Sequence, residues 1–496
     1  MRRFFLFVLV LLTGRVIAQE ATFSQKELQQ DLDSLASALR ELHPGLYRYQ
    51  SPEQFDSTVQ ATRMALRENM PLRDAYAVFS QLVSGIRCGH TVIVPRTNWA
   101  DTLSKASFYF PFQVFFVQGV PYLTFNRSAN QEIRPGDKLL TINGRPVEDI
   151  RREIFRHLFS DGYNESLKYR QTHDYLFFYY YNCFIEQADS FHIQYENARK
   201  EIKTATVPAL GMQEMARNVS ANPVNRAFLK AIQHERPYTH ELLLDKQKDV
   251  AIIFLRQFYG GRDGETARKA LTHFMDDCIW KIKRRGISDV IIDMRYNPGG
   301  YDNQGQVLLS YFINEPVLYY NSMHTIMNSS PLLEHSSLSK EDLVMMRDNL
   351  VKQPDGTYRI PLSLNKTLDS VWPAANHFSG HVYFLVNGGT GSTAAEFTAV
   401  AQYLRVGQFI GEETAGNYTG GNGAEFVGLL LPHTRMHATI PLVYYENAVG
   451  TPQQKGRGTL PDYPDNYTID EALSGRDTAR ELAYRLIEDQ RAKAKE

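Results

Sequence analysis

Ser392 is the residue of this chain best placed to act as a nucleophile. It lies in the stretch His381-Val-Tyr-Phe-Leu-Val-Asn-Gly-Gly-Thr-Gly-Ser-Thr-Ala-Ala-Glu396. Val382 to Val386 is a short, β-rich apolar run that predicts a strand. The glycines within Asn387 to Gly391 allow a tight turn, and the alanine-rich Thr393-Ala-Ala-Glu-Phe-Thr-Ala-Val-Ala401 predicts a helix. At such a junction the first helical N–H groups lack partners and the helix dipole favours negative charge. An oxyanion formed on a serine adduct there is stabilised in advance. Serine is also a good N-cap, and taken alone the stretch fits that commoner role. His90 lies in Gly85-Ile-Arg-Cys-Gly-His-Thr-Val-Ile-Val94, where a loop enters a short strand. A lone histidine is more often a hydrogen-bonded structural residue.

Other chemistries find little support. Gly-x-Ser-x-Gly is absent around Ser392. No His-Glu-x-x-His, Cys/His cluster or Gly-x-x-x-x-Gly-Lys-Ser/Thr occurs, so no metal and no nucleotide cofactor is expected. The net charge of −1 gives no electrostatic reason for a nucleic-acid partner or an anionic membrane. The chain has 496 residues, 43% hydrophobic and 12% aromatic, which predicts two or three globular domains with ample core. Its 3 cysteines, Cys88, Cys183 and Cys278, form neither a disulfide framework nor a metal knuckle; they leave one bridge plus a free thiol or three buried thiols, and the latter is favoured.

Arg2 and Arg3 before the apolar run Phe4 to Leu12, with Val16-Ile-Ala18 before Gln19, read as a signal peptide over residues 1–18. No later run is long and apolar enough to span a bilayer. An exported protein, periplasmic or extracellular, is therefore expected, with no stable membrane insertion once the signal is removed.

Residues 19–98 read as a helical segment that ends in the His90 loop. Leu28, Leu32, Leu35 and Leu39 recur at helical spacing, as do Phe55, Val59 and Met64, and a third pattern runs from Leu72 to Val83. His43-Pro-Gly breaks the first helix. Residues 105–207 turn to short strands: Phe110 to Gln118, Val120 to Phe125 and Lys138 to Ile142. The aromatic stretch Asp161 to Phe184 reads as core or an interdomain contact. Residues 208–245 read as a polar connection. Residues 246–496 carry strands at Asp249 to Leu255, Asp289 to Arg295, Val382 to Val386 and Val406 to Gly411. These alternate with helices at Thr266 to Arg284 and Gln304 to Phe312, the rhythm of an α/β domain. Glu471 to Ala492 reads as a closing helix.

Two sets of motifs resemble known families. Pro135-Gly-Asp followed by Ile142-Asn-Gly144 is similar to PDZ domains, which bind peptide C-termini by adding a strand to a sheet edge. Cys88-Gly-His-Thr91, Ile292-Asp-Met-Arg-Tyr-Asn-Pro-Gly-Gly300, Val386 to Glu396, Gly411-Glu-Glu-Thr-Ala-Gly416 and Gly456-Arg-Gly-Thr-Leu-Pro-Asp462 together resemble the C-terminal processing peptidases. That family includes tail-specific proteases and the tricorn core.

The resemblance implies an α/β fold: a crotonase-like (ClpP-like) catalytic domain, a PDZ-like β-rich domain and an N-terminal helical segment. It implies a serine peptidase with Ser392 as nucleophile and Gly300 and Thr393 lending backbone N–H groups to an oxyanion hole. One branch of the family uses a lysine where this chain has Asn417; the tricorn-like branch uses a histidine where His90 stands. Both positions imply a Ser-His mechanism on peptide or protein substrates, with no cofactor. The carboxylate that the tricorn-like branch carries before its closing motif is replaced by Gln454-Lys-Gly-Arg457, leaving Glu446 and Glu412 as candidates for a third group. The alternative is a binding protein on the same scaffold, weak or inactive in catalysis, that holds peptide ends or hydrophobic ligands.

Overall fold

The computed structural model describes residues 21–95, 108–173, 176–232, 240–452 and 454–494. The expected signal peptide, residues 1–18, lies outside them. The protein is a mixed α/β molecule with several sheets.

The N-terminal segment contains α1 (Gln25–Leu42), α2 (Pro52–Ala65) and α3 (Leu72–Gly85), followed by the short strand β1 (Val92–Val94). Capping boxes at Ser24 with Glu27 and at Ser51 with Gln54 start the first two helices, satisfying N–H groups that a helix leaves orphaned. Their apolar faces follow the predicted spacing except at Met64, which is 85% exposed where Thr62 is buried instead. Leu28, Leu32, Leu35, Phe55, Phe79 and Leu82 share one continuous core with Ile253, Ile292 and Phe384 of the C-terminal region. The segment is therefore packed into the body that carries Ser392.

A second body is an antiparallel sheet with its own core. It contains β2 (Phe112–Val117), β3 (Val120–Asn126), β4 (Lys138–Ile142), β5 (Ser190–Glu196) and β6 (Ile202–Pro208), paired in that order. Between β4 and β5 run α4 (Val147–Phe155), α5 (Ser166–His173) and α6 (Phe177–Phe184), where the sequence pattern suggested only strands and an aromatic stripe. In α6 the residues Phe177, Phe178, Tyr181 and Cys183 are all buried, and a short helix enclosed on most sides has no polar face to reveal its period. Helix α5 lies along the edge of β2, where Phe116 N–H donates to His173 Nε2 (2.8 Å).

The stretch expected to be a connection holds α7 (Met212–Ala221), α8 (Arg226–Ile232) and the strand β7 (Glu241–Asp245). β7 pairs antiparallel with β8 (Val250–Phe254) and becomes the edge of the main sheet. From β8 onward that sheet is parallel: β8, β9 (Asp289–Asp293), β10 (His381–Val386), β11 (Gln408–Gly411) and the two-residue strand Tyr463–Pro464. Both faces are covered, as parallel sheets require. Ile253, Ile292 and Phe384 point into the large core, while Ile252, Ile291 and Leu385 pack against Ala479, Ala483 and Ile487 of the closing helix. That closing region is two helices, Ile469–Ser474 and Thr478–Lys493, divided where Gly475 adopts a left-handed φ of 71°.

A third sheet contains β12 (Asn422–Leu430) and β13 (His437–Asn447) as a long hairpin. β1 pairs with β13 in the register Val94–His437, Ile93–Ala438 and Val92–Thr439. The strand that follows His90 is thus held by the C-terminal region. Asp31 on α1 secures the same hairpin: its buried carboxylate accepts from His433 N–H (2.9 Å), Thr434 N–H (2.8 Å) and Thr434 Oγ1 (2.6 Å). Asp31→Ala leaves two backbone donors without an acceptor and is expected to destabilise the protein by about 3 kcal/mol, measured by urea denaturation. A change within about 0.5 kcal/mol, the range of an ordinary surface substitution, would show that the hairpin turn finds other partners.

Candidate active site

Ser392 and the turns around it sit at the carboxyl ends of two adjacent parallel strands, the crevice in which open α/β sheets hold ligands. After β9 the chain makes the turn Met294 to Gly300, and after β10 the turn Asn387 to Ser392. Side-chain amides join the two. Asn387 Oδ1 accepts from Tyr296 N–H and Gly389 N–H (both 3.0 Å). Thr390 Oγ1 donates to Met294 C=O (2.9 Å), and Gly391 N–H donates to Asn297 C=O (2.9 Å). Asn297, fully buried, accepts from Gly299 N–H (3.0 Å) and donates to Leu255 C=O (3.1 Å).

This wiring holds Ser392 at φ 50° and ψ −133°, a region that costs a non-glycine residue of order 1–3 kcal/mol and is found mainly at functional sites. Ser392 does occupy the N-cap position of the helix Thr393–Tyr403, yet its side chain makes no capping bond. Its Oγ instead lies 3.2 Å from His90 Nε2, across 302 positions of chain.

Gly300 and Thr393 are also brought together: Thr393 Oγ1 donates to Gly300 C=O (3.0 Å). Thr393 opens the helix, so its N–H has no intrahelical acceptor. A Cβ on Gly300 would stand 1.7 Å from Phe258 O, and one on Gly299 2.6 Å from Ser392 Cβ. Only glycine permits this approach of the two turns.

His90 is half-buried beside the Phe426 ring, with centroids 5.9 Å apart. Its Nδ1 is buried without a hydrogen-bond partner. The loop before it is set by Gly89 N–H donating to Asp161 Oδ1 (2.8 Å) and by Thr91 Oγ1, 2.7 Å from His43 Nε2. Burial lowers the His43 imidazole to about 3. Its Nδ1 accepts from Gly45 N–H (3.0 Å), so the neutral ring donates from Nε2 to Thr91. Cys88 is buried against Asn422 (Nδ2 to Sγ 3.5 Å), and burial pushes its thiol up to about 11, the signature of an inert packing cysteine. All three cysteines are buried and none forms a disulfide.

The two carboxylates named from sequence are not brought to His90. Glu446 is exposed on β13 and accepts from Ser322 Oγ (2.9 Å). Glu412 is occupied by a buried Arg170 guanidinium, Gly388 N–H and Tyr467 OH, and these donors hold its carboxyl below the usual carboxylate range despite burial. Glu446 lies within β13 and Glu412 in the bend just after β11, and the sequence did not reveal where either side chain turns. Asn417 Nδ2 donates to Tyr49 OH (2.7 Å), so the position that holds a lysine in the other branch packs against the N-terminal segment. Two residues near the site were missed. Phe426 comes from a strand with no motif, and Asp161 heads an Asp-Gly turn whose only sequence signal is that of a loop. Among the described residues, no group of three or more His, Cys, Asp and Glu side chains is placed to hold a metal ion.

Comparison with known proteins agrees with this architecture. Mature CPAF complexed with lactacystin superposes with a TM-score of 0.64 at 15% identity, over 93% of this chain and 98% of that chain. A CPAF mutant gives 0.62 at 14% identity, over 93% and 97%. At that identity the likeness is one of fold. No curated protein sequence matches the chain. Residues 249–464 match the model of peptidase family S41. The protein is a serine-type peptidase.

Glu396, one turn beyond Ser392, is buried and accepts from Tyr320 OH (2.6 Å). Burial raises its carboxyl from 4.5 to about 7, with the Tyr320 bond opposing the rise. A carboxyl raised on folding favours the native state as the acid. That contribution is complete below pH 4.5 and is lost as the pH climbs through about 7. Relative to Glu396→Gln, the wild-type protein is expected to lose roughly 3 kcal/mol of stability between pH 4.5 and pH 8. Parallel pH dependences of the two proteins in chemical denaturation would refute this.

Proposed function

We propose that the protein hydrolyses peptides or proteins through an acyl-enzyme on Ser392, with His90 as general base and the N–H groups of Gly300 and Thr393 as oxyanion donors. The observation that carries this reading is the 3.2 Å approach of His90 Nε2 to the uncapped, strained Ser392. Ser392 Oγ attacks the scissile carbonyl carbon as Nε2 takes its proton, and the carbonyl oxygen becomes an oxyanion between the two turns. Collapse breaks the C–N bond, and the amine leaves with the proton held by His90. Water then repeats the sequence on the ester, releasing the acid and restoring the serine. Each oxyanion donor typically lowers the barrier by about 3 kcal/mol. With Asn417 turned to Tyr49, the reading takes the histidine-using branch of the family and not a Ser-Lys dyad.

The catalytic domain is read as crotonase-like and the 105–207 body as PDZ-like, with an extended peptide lying between them. Preference for a free C-terminus rests on the PDZ resemblance alone, and α5 already engages the edge of β2. The reading therefore extends to peptide substrates in general. Export follows from residues 1–18 and predicts a mature chain that begins at Gln19.

A fluorophosphonate probe is expected to label the native protein. Ser392→Ala and His90→Ala should abolish labelling and lower peptide hydrolysis by roughly 1,000-fold or more, with circular dichroism unchanged. Lactacystin, found in complex with the similarly folded CPAF, is a second reagent for the same comparison. A well-folded native protein inert to these reagents and to peptides would overturn the reading in favour of a binding protein. Cleavage of esters but not of peptides would leave Ser392 and His90 in place and remove the peptide substrate.

A further inference from the structure

His90 presents Nε2 to Ser392, so in the resting protein Nε2 must be free to accept and Nδ1 must carry the ring proton. That Nδ1 is buried and has no hydrogen-bond partner. When the ring takes the serine proton it becomes a cation, and a cation formed in a buried setting needs a compensating charge. Neither carboxylate named from sequence supplies it.

We infer that Asp161, in the turn between α4 and α5, is the third member of this site: a positioning residue whose carboxylate sets the His90 loop and balances the charge that forms on the imidazole. This rests on the Ser392–His90 reading above. Asp161 is only 9% exposed. Its Oδ1 accepts from Gly89 N–H at 2.8 Å, and a Cβ on Gly89 would stand 2.7 Å from Oδ2. The carboxylate is thus packed directly on the backbone that presents His90.

The turn is held from both sides. Gly162 N–H donates to Arg87 C=O (2.9 Å), Tyr163 N–H donates to Gly456 C=O (2.8 Å), and Asn164 Nδ2 donates to Thr414 C=O. Among charged neighbours, His90 opposes the burial of the Asp161 carboxylate most strongly, ahead of Arg48, while burial itself raises that carboxyl. Three further titratable groups feel Asp161, namely Cys88, Tyr49 and Glu396. Burial raises all three as it raises Asp161; what sets Asp161 apart is that its carboxylate accepts from Gly89 N–H, next to His90. The segment comes from the sheet-bearing second body, so the site draws on that body for its charge as well as for substrate contact.

The test separates charge from shape. Asp161→Asn keeps an oxygen for Gly89 N–H and removes the charge, whereas Asp161→Glu keeps the charge. Each is compared with the native protein for its rate of fluorophosphonate labelling from pH 5 to pH 9, beside Ser392→Ala. The asparagine variant is expected to react roughly 10- to 100-fold more slowly at the plateau. Its acidic limb should move to lower pH, because an imidazole without a neighbouring anion holds its proton less well. The glutamate variant should return the limb toward the native position. Should the asparagine variant not fold, Asp161→Ser replaces it in the same comparison.

Native rate and profile in the uncharged variant would overturn the inference. So would a slower reaction with an unmoved limb, which marks a structural role only. If the folded native protein does not label at all, the Ser392 reading falls, and this one with it. Labelling that is lost in Ser392→Ala yet unaltered in Asp161→Asn removes this inference alone.

Discussion

The site depends on the pairing of β1 with β13. That three-residue ladder is the link between the backbone beside His90 and the sheet that flanks Ser392. Because strand side chains alternate faces, a one-residue slip of β1 would turn the chain leading to His90 over. The register is protected from several directions. Ile93 is buried in the common core, Thr91 is held by a neutral His43, and α3 shares apolar surface with the body that carries Ser392. His43-Pro-Gly thus does more than end α1: it brings a buried ring under the loop that presents His90.

The other half of the site is an agreement between two turns. Parallel strands β9 and β10 end side by side, and each hands its chain to a glycine-rich turn. Asn297, Asn387 and Thr390 satisfy the backbone groups that such turns leave open, which a buried loop must do. The interlock stores strain at Ser392, and the hydrogen bonds around it offset that cost. Below the turns, Asp293 and Arg295 form a buried ion pair that reaches Asp477 at the start of the closing helix. The C-terminal helix therefore braces the strand ends on which the turns stand.

The second body is tied to this centre by both polar and apolar contacts. It has an apolar cluster of its own, but Cys183 of α6 belongs to the common core and Phe184 packs on Tyr76 of α3 with ring centroids 5.4 Å apart. Arg170 reaches Glu412 and Tyr296, and the 161–164 turn reaches Arg87, Thr414 and Gly456. Asp161, beneath the loop of His90, comes from the second body, whereas Ser392 and the turns proposed to hold the oxyanion come from the parallel sheet.

What the sequence determined by itself is whatever local chemistry encodes. The apolar runs of β8, β9 and β10, the helical periods of α1 to α3, and the glycine turns before Gly300 and Ser392 all depend on neighbours within a few residues. Where burial on most sides erased the period, as in α6, or where a short leucine run inside a polar segment gained an edge partner, as in β7, the pattern was silent. The resemblance to peptidase motifs extended that reach to His90, for which no local rule could suggest a role. Tertiary structure alone decided that Ser392 does not cap its helix, that Glu412 and Glu446 are engaged elsewhere, and that Asp161 lies under Gly89, 72 positions away. The reason is physical: a carboxylate's role depends on which donors and charges surround it, and those are set by packing between segments that carry no record of one another in their own spacing.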